Sequence, residues 1–195
     1  MKDLSSDAVV IGLLTHNASR LSQQAKATAH SGNVRVIDNF HYVRKQVDVG
    51  GTIQLVDTET KATLGVSTIS ENKLSFDKVA IIDRIKLGYD VNANPNMEGA
   101  LKYDKALPAA FRNAFLRISQ GDYKFADLPL SELANRYTGN SIKDDYLFLK
   151  NPLVLVGGTE FSFELVFPKG AAKTGTDLDY IEVMFGGVDV IRNNK

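Results

Sequence analysis

The chain of 195 residues is long enough for one sizeable core, and its 44% hydrophobic and 24% charged residues are the ordinary balance of a soluble globular protein. Lysine plus arginine (23) equals aspartate plus glutamate (23), which excludes the basic excess of a free-standing nucleic-acid binder and leaves copies little net charge to keep them apart. The absence of cysteine excludes thiolate catalysis, cysteine-ligated metals and disulfides.

Residues 1–32 form a compositional zone of their own, read as an N-terminal helical arm. Ser5, Ser6 or Asp7 caps the predicted helix and Gly32 stops it. Val10, Leu14, Ala18, Leu21 and Ala25 recur at helical spacing and form one narrow apolar stripe. Two readings fit such a stripe: a terminal helix lying on its own domain, or an arm docked on a neighbouring subunit or a lipid surface. The apolar run Ala8–Leu14 is too short to span a bilayer, and the polar THNASRLSQQ after it argues against a secretory signal. Lys2, Arg20 and Lys26 against Asp3 and Asp7 are too weakly basic for a genome-packing arm.

Residues 33–195 read as a single β-sandwich domain. Val34–Ile37 and Phe40–Val43 are the first strand-like runs, and Gly50-Gly51 marks a turn before Thr52–Val56. Thr63–Ile69 reads as a short strand. In Lys78–Val91 the residues Val79, Ile81, Ile85, Leu87, Tyr89 and Val91 fall on one face, with Arg84, Lys86 and Asp90 on the other. Asp83 lies on the apolar face, where it ends the buried zone or finds a partner.

Short helical turns are expected at Leu107–Ala114 and Leu130–Asn135, with a strand at Phe115–Ile118. Tyr146–Leu149 and Leu153–Val156 flank Asn151-Pro152. The closing pair is the clearest: Phe161, Phe163, Leu165 and Phe167 share one face, and Ile181, Val183 and Phe185 share another. Four large side chains on one face need a second apolar layer, which argues for a sheet packed on a sheet. At Gly186-Gly187 the apolar phase passes from odd positions to Val188 and Val190, the signature of a β-bulge. Eight to ten strands with scattered short helices predict an all-β antiparallel sandwich.

No motif announces a reaction. His16, His30 and His41 have no ligand spacing, and no serine lies in a G-x-S-x-G setting. Asp90, Asn92 and Asn94 imitate the opening of a calcium loop, but Pro95 and Leu101 stand where such a loop needs glycine and glutamate, so an Asn-rich turn is the better reading. Asp144-Asp145 and Asp177/Asp179 could perform acid–base work on a sugar only if the fold set them across a cleft, and carboxylates at turns are commonplace. No catalytic residue, metal ligand or cofactor is assigned.

Laid out in this order, the chain resembles the jelly-roll coat proteins of small tailless bacteriophages. The likeness rests on the alanine- and serine-rich arm, on the long strands KVAIIDRIKLGYDV and TEFSFELVFP joined by loops with helical insertions, and on the closing strand DYIEVMFGGVDVIR. It implies a non-enzymatic virion protein that self-assembles into an icosahedral capsid. Its implied partners are further copies of itself, other virion proteins and an internal membrane, without sequence-specific nucleic acid. The loops Asn92–Ala106 and Pro168–Thr176 would then serve as interfaces. The alternatives are a carbohydrate- or receptor-binding module of a phage spike or fibre, with Tyr103, Tyr123 and Tyr137 as aromatic contacts, and a carboxylate-based glycan hydrolase.

Overall fold

The structure, a computed structural model, describes residues 7–21, 23, 26, 34–134 and 145–192. Helix α1 (Asp7–His16) is followed by β1 (Val34–Val47), β2 (Thr52–Gln54), β3 (Lys78–Asn92), α2 (Ala109–Arg112), β4 (Phe115–Gln120) and β5 (Tyr123–Pro129). The single turn α3 (Leu130–Leu133) then leads to β6 (Leu147–Val156), β7 (Phe161–Val166) and β8 (Leu178–Arg192). The strands form two four-stranded antiparallel sheets, sheet I in the order β1-β8-β3-β6 and sheet II in the order β2-β7-β4-β5. The pairings are nested: β1 with β8, β2 with β7, β3 with β6 and β4 with β5.

The layer that covers Phe161, Phe163, Leu165 and Phe167 is sheet I, and all four side chains are buried. Phe163 stacks on Phe185 of β8 with ring centroids 4.5 Å apart, and Phe111 of α2 meets Phe167 edge-on at 5.1 Å. Such ring pairs add modestly to the hydrophobic burial that holds the sheets together.

A second apolar cluster lies on the opposite face of sheet I. Val10, Leu13, Leu14 and Leu21, from α1 and the turn after it, cover Val79, Ile81, Val154, Val156, Val188 and Val190. The described part of the N-terminal zone therefore lies on its own domain. Fully burying one such side chain contributes about 1.5–3 kcal/mol, so four of them hold the segment firmly in place. Ala25 and Gly32, invoked for the end of the helix, lie outside the described residues.

Two covered faces explain the phase change in β8. Ile181, Val183 and Phe185 point between the sheets, while Val188 and Val190 point under α1. The register of β8 against β1 runs unbroken from Val47↔Asp179 to Val34↔Arg192, so the expected bulge at Gly186-Gly187 does not exist. The irregularity is on β3, where Ile82 pairs with Gly187 and Arg84 with Gly186, leaving Asp83 as the extra residue. That insertion flips the phase of β3, so Val79 and Ile81 face α1 whereas Ile85, Leu87 and Tyr89 face the inter-sheet core. A single apolar face for 79–91 is thus corrected to two.

Gly187 answers a different need: a Cβ there would stand 1.9 Å from the Ile81 carbonyl oxygen, so the backbones approach too closely for any side chain. Other departures are smaller. The two runs before Val47 are one strand, and the runs around Asn151-Pro152 are also one, with Pro152 at an irregularity of an edge strand. Thr63–Ile69 forms only isolated bridges, through Ser67 to Val43 and Thr63. β5 was not expected, because its residues are exposed or half-buried and do not alternate.

Candidate functional site

The outer face of sheet I is covered at both ends. At one end lies α1; at the other, the 93–105 loop rests on Tyr180 and Gly88. Asp90 organises that loop by accepting hydrogen bonds from the backbone N–H groups of Val91, Lys102 and Tyr103 and an ion pair from Lys105 at 2.9 Å. Burial pushes the Asp90 carboxyl up, but Lys105 and the backbone donors outweigh it and hold it below the ordinary range. Asn92 accepts from the Asn94 N–H at 2.9 Å, the Asx turn expected of this stretch, and the Tyr180 hydroxyl donates to the Asn94 carbonyl at 2.7 Å.

Between the two covers, side chains of β1, β3 and β6 leave a window of aromatic rings and cations. Phe40 is 44% exposed and Phe148 is 37% exposed. The Arg84 guanidinium sits 4.8 Å above the Phe40 ring and 3.1 Å from Asp83. Lys86 approaches the Tyr146 ring at 6.0 Å and Asp145 at 3.2 Å. Gly186 makes room for this layer, since a Cβ there would lie 2.5 Å from Arg84 Nε. The surface offers π-faces and a guanidinium edge, groups suited to contact with another macromolecule.

The N-terminal segment is clamped to sheet II by Arg20. Its guanidinium lies 4.8 Å from the Tyr123 ring centre and 4.5 Å from that of Phe125, and it donates to Gln120 Oε1 at 3.0 Å. Gln120 in turn bridges to the Val156 backbone through both its amide groups, tying the two sheets at this end.

Where sheet I outreaches sheet II, its inner face carries a buried polar cluster. Asp189, 3% exposed, accepts from Lys78 at 2.7 Å, from His41 Nε2 at 3.2 Å and from Asn39. Burial raises its carboxyl, yet the bonds from His41 and Lys78 prevail and keep it below the ordinary range. The sequence signal for this cluster is Val188-Asp189-Val190: with both valines under α1, the acid between them must point inward.

The remaining candidates do not converge. Asp145 is engaged by Lys86; Asp179 is buried and accepts from the Tyr89 hydroxyl at 2.5 Å; Asp177 is exposed; Asp144 lies outside the described residues. Tyr103 is buried, Tyr123 carries Arg20, and Tyr137 and His30 lie outside the described residues. His16 ends α1 at the surface. Among the described residues no three His, Asp or Glu side chains are grouped to hold a metal ion, and no helix is long and apolar enough to cross a membrane. No protein-family model and no curated protein matches this sequence.

Proposed function

We propose that this chain is a jelly-roll virion protein that assembles with copies of itself into an icosahedral capsid. The observation that carries the reading is the nested strand pairing, an antiparallel ribbon of eight strands folded over into two sheets, as a jelly roll requires. Jelly rolls serve in capsids, lectins and cupins alike. A metal-centred cupin has no ligand cluster to use among the described residues. A lectin-like role would need to displace Arg20 from Tyr123, because Tyr103 is buried.

The distribution of apolar surface favours assembly. Leu64 is 99% exposed, and Ile11, Phe40, Phe76 and Phe115 are also exposed on different elements of the fold. α1 carries no charge between Asp7 and His16, and among the described residues only its Val10, Leu13 and Leu14 face is covered. Several modest apolar contacts on different faces suit a shell, where many weak interfaces act together. On this reading the partners are further copies, other virion proteins and an internal membrane, without sequence-specific nucleic acid, and the protein resides in the virion. No catalytic step is needed.

Sedimentation velocity on the full chain and on Leu64→Asp and Phe76→Asp tests the reading. The parent forms large particles, and the variants shift towards small species while keeping the parent's melting temperature. Variants that assemble like the parent would count against contacts at these sites.

A further inference from the structure

Beside the Asp189 cluster, the two sheets part to leave a cavity of about 220 Å³ under the 68–75 segment. Its floor is Ile82, Leu155, Phe161, Phe163 and Phe185, with Ala80 at the wall. At its rim stand His41, Lys73 and Lys78. Every titratable side chain that lines it is therefore basic, and no carboxylate lines it. Asp189, the acid bonded to this rim among the described residues, already accepts from Asn39, His41 and Lys78, while Glu160 faces Lys73 across a β-bridge without an ion pair. Lys78 spends one of its three N–H donors there. Lys73 lies 5.8 Å from the Phe76 ring centre and has no carboxylate within 4.0 Å among the described residues.

We propose that this cavity binds a small amphiphilic monocarboxylate. Its apolar body would lie against Phe161, Phe163 and Phe185, and its carboxylate would meet Lys73 and Lys78. Size, lining and charge each limit the ligand. A dry cavity of about 150 Å³ lined by Leu, Ile and Phe accommodates benzene, so this larger one holds a body of about six to eight carbons. Such a floor cannot bond a polar body, which would lose its water without compensation. Two lysines against one saturated carboxylate leave the rim positive, and an anion there gains charge-assisted bonds that an alcohol or an amine does not. The cavity shares no lining residue with the exposed surfaces invoked for assembly; Phe76 approaches its rim through Lys73, and the binding test leaves Phe76 unaltered, so the two readings are tested apart.

Octanoate is the probe, with 1-octanol as the same chain without the charge, each titrated into the full-length protein and followed by heteronuclear NMR. Octanoate is expected to give saturable shifts centred on Ile82, Leu155 and Phe163 and to bind at least tenfold more tightly than 1-octanol. Lys73→Gln combined with Lys78→Gln removes that preference, and Ala80→Leu, which fills the cavity, abolishes binding of both probes. Should either of these variants fail to fold, Lys73→Gln alone, at an exposed position, still lowers octanoate affinity and leaves 1-octanol unchanged. Absence of saturable shifts, equal binding of the two probes, shifts centred on Phe40 and Phe148 instead, or undiminished binding in folded Ala80→Leu would each overturn the proposal.

Discussion

Ile81 and Ile82 are neighbours in β3, yet they belong to different cores: Ile81 packs under α1 and Ile82 packs between the sheets. Sheet I is thus sandwiched twice at this end, by sheet II on one side and by α1 on the other. The consequence is that the N-terminal segment contributes to the stability of the domain and not only to its contacts.

Leu14→Ala empties a fully enclosed site in the outer cluster and is expected to cost about 2–4 kcal/mol in chemical denaturation. Deleting residues 1–32 exposes the valines and isoleucine beneath α1. The truncated chain keeps a cooperative melting transition, carried by the inter-sheet core, but melts at lower temperature and binds more of a hydrophobic dye. An unchanged melting temperature after truncation would show that α1 adds nothing to the fold.

Gly187→Ala tests the close approach of β8 to β3. The added methyl group would meet rigid backbone, the Ile81 carbonyl and Ile82 Cα, so the strands must separate. A loss of about 1–3 kcal/mol is expected, with faster hydrogen exchange at Ile82 and Gly187.

Two of the buried acids of sheet I, Asp83 and Asp189, act in opposite directions with pH. Asp189 is held below its unfolded value, so its contribution is complete above about pH 5 and is lost as pH falls through the folded value. Asp83 is raised, mainly by burial and against the pull of Arg84, so it costs stability at neutral pH and the cost disappears on acidification. Asp189→Asn should lose about 3 kcal/mol at pH 7, because Lys78 is left without its counter-charge, and should unfold with a shallower acid limb. Asp83→Asn should be more stable than the parent at pH 7 and equal to it near pH 3. Melting temperatures across that range decide both.

Arg20→Ala removes the stack on Tyr123 and Phe125 and the bond to Gln120. The expected loss is about 1 kcal/mol, with hydrogen exchange accelerated at Arg20 and Leu21 and unchanged in β7.

How much of this was legible in the sequence follows from how local each feature is. The closing strands, the all-β sandwich and both short helices were readable, because period-two alternation and Pro-marked helix starts are local signals. The double cover of sheet I was not. Val188 and Val190 after Phe185 look like a slipped register, and only the position of α1 shows that both phases are buried. For the same reason Asp83, conspicuous as an acid on the apolar face, could not be read as the inserted residue. β5, a half-exposed edge strand, lacks the alternation that marks strands with one buried face. The cavity and the Asp189 cluster join residues from β1, β3, β6, β7, β8 and the 68–75 segment, a convergence that no spacing in the chain could announce.

The most direct measurement of the central claim is light scattering of the concentrated full-length protein, with electron microscopy of any large fraction. Closed shells of uniform diameter, or the stable rings and trimers from which shells are built, are the predicted result. A strict monomer at every concentration tested would contradict the account.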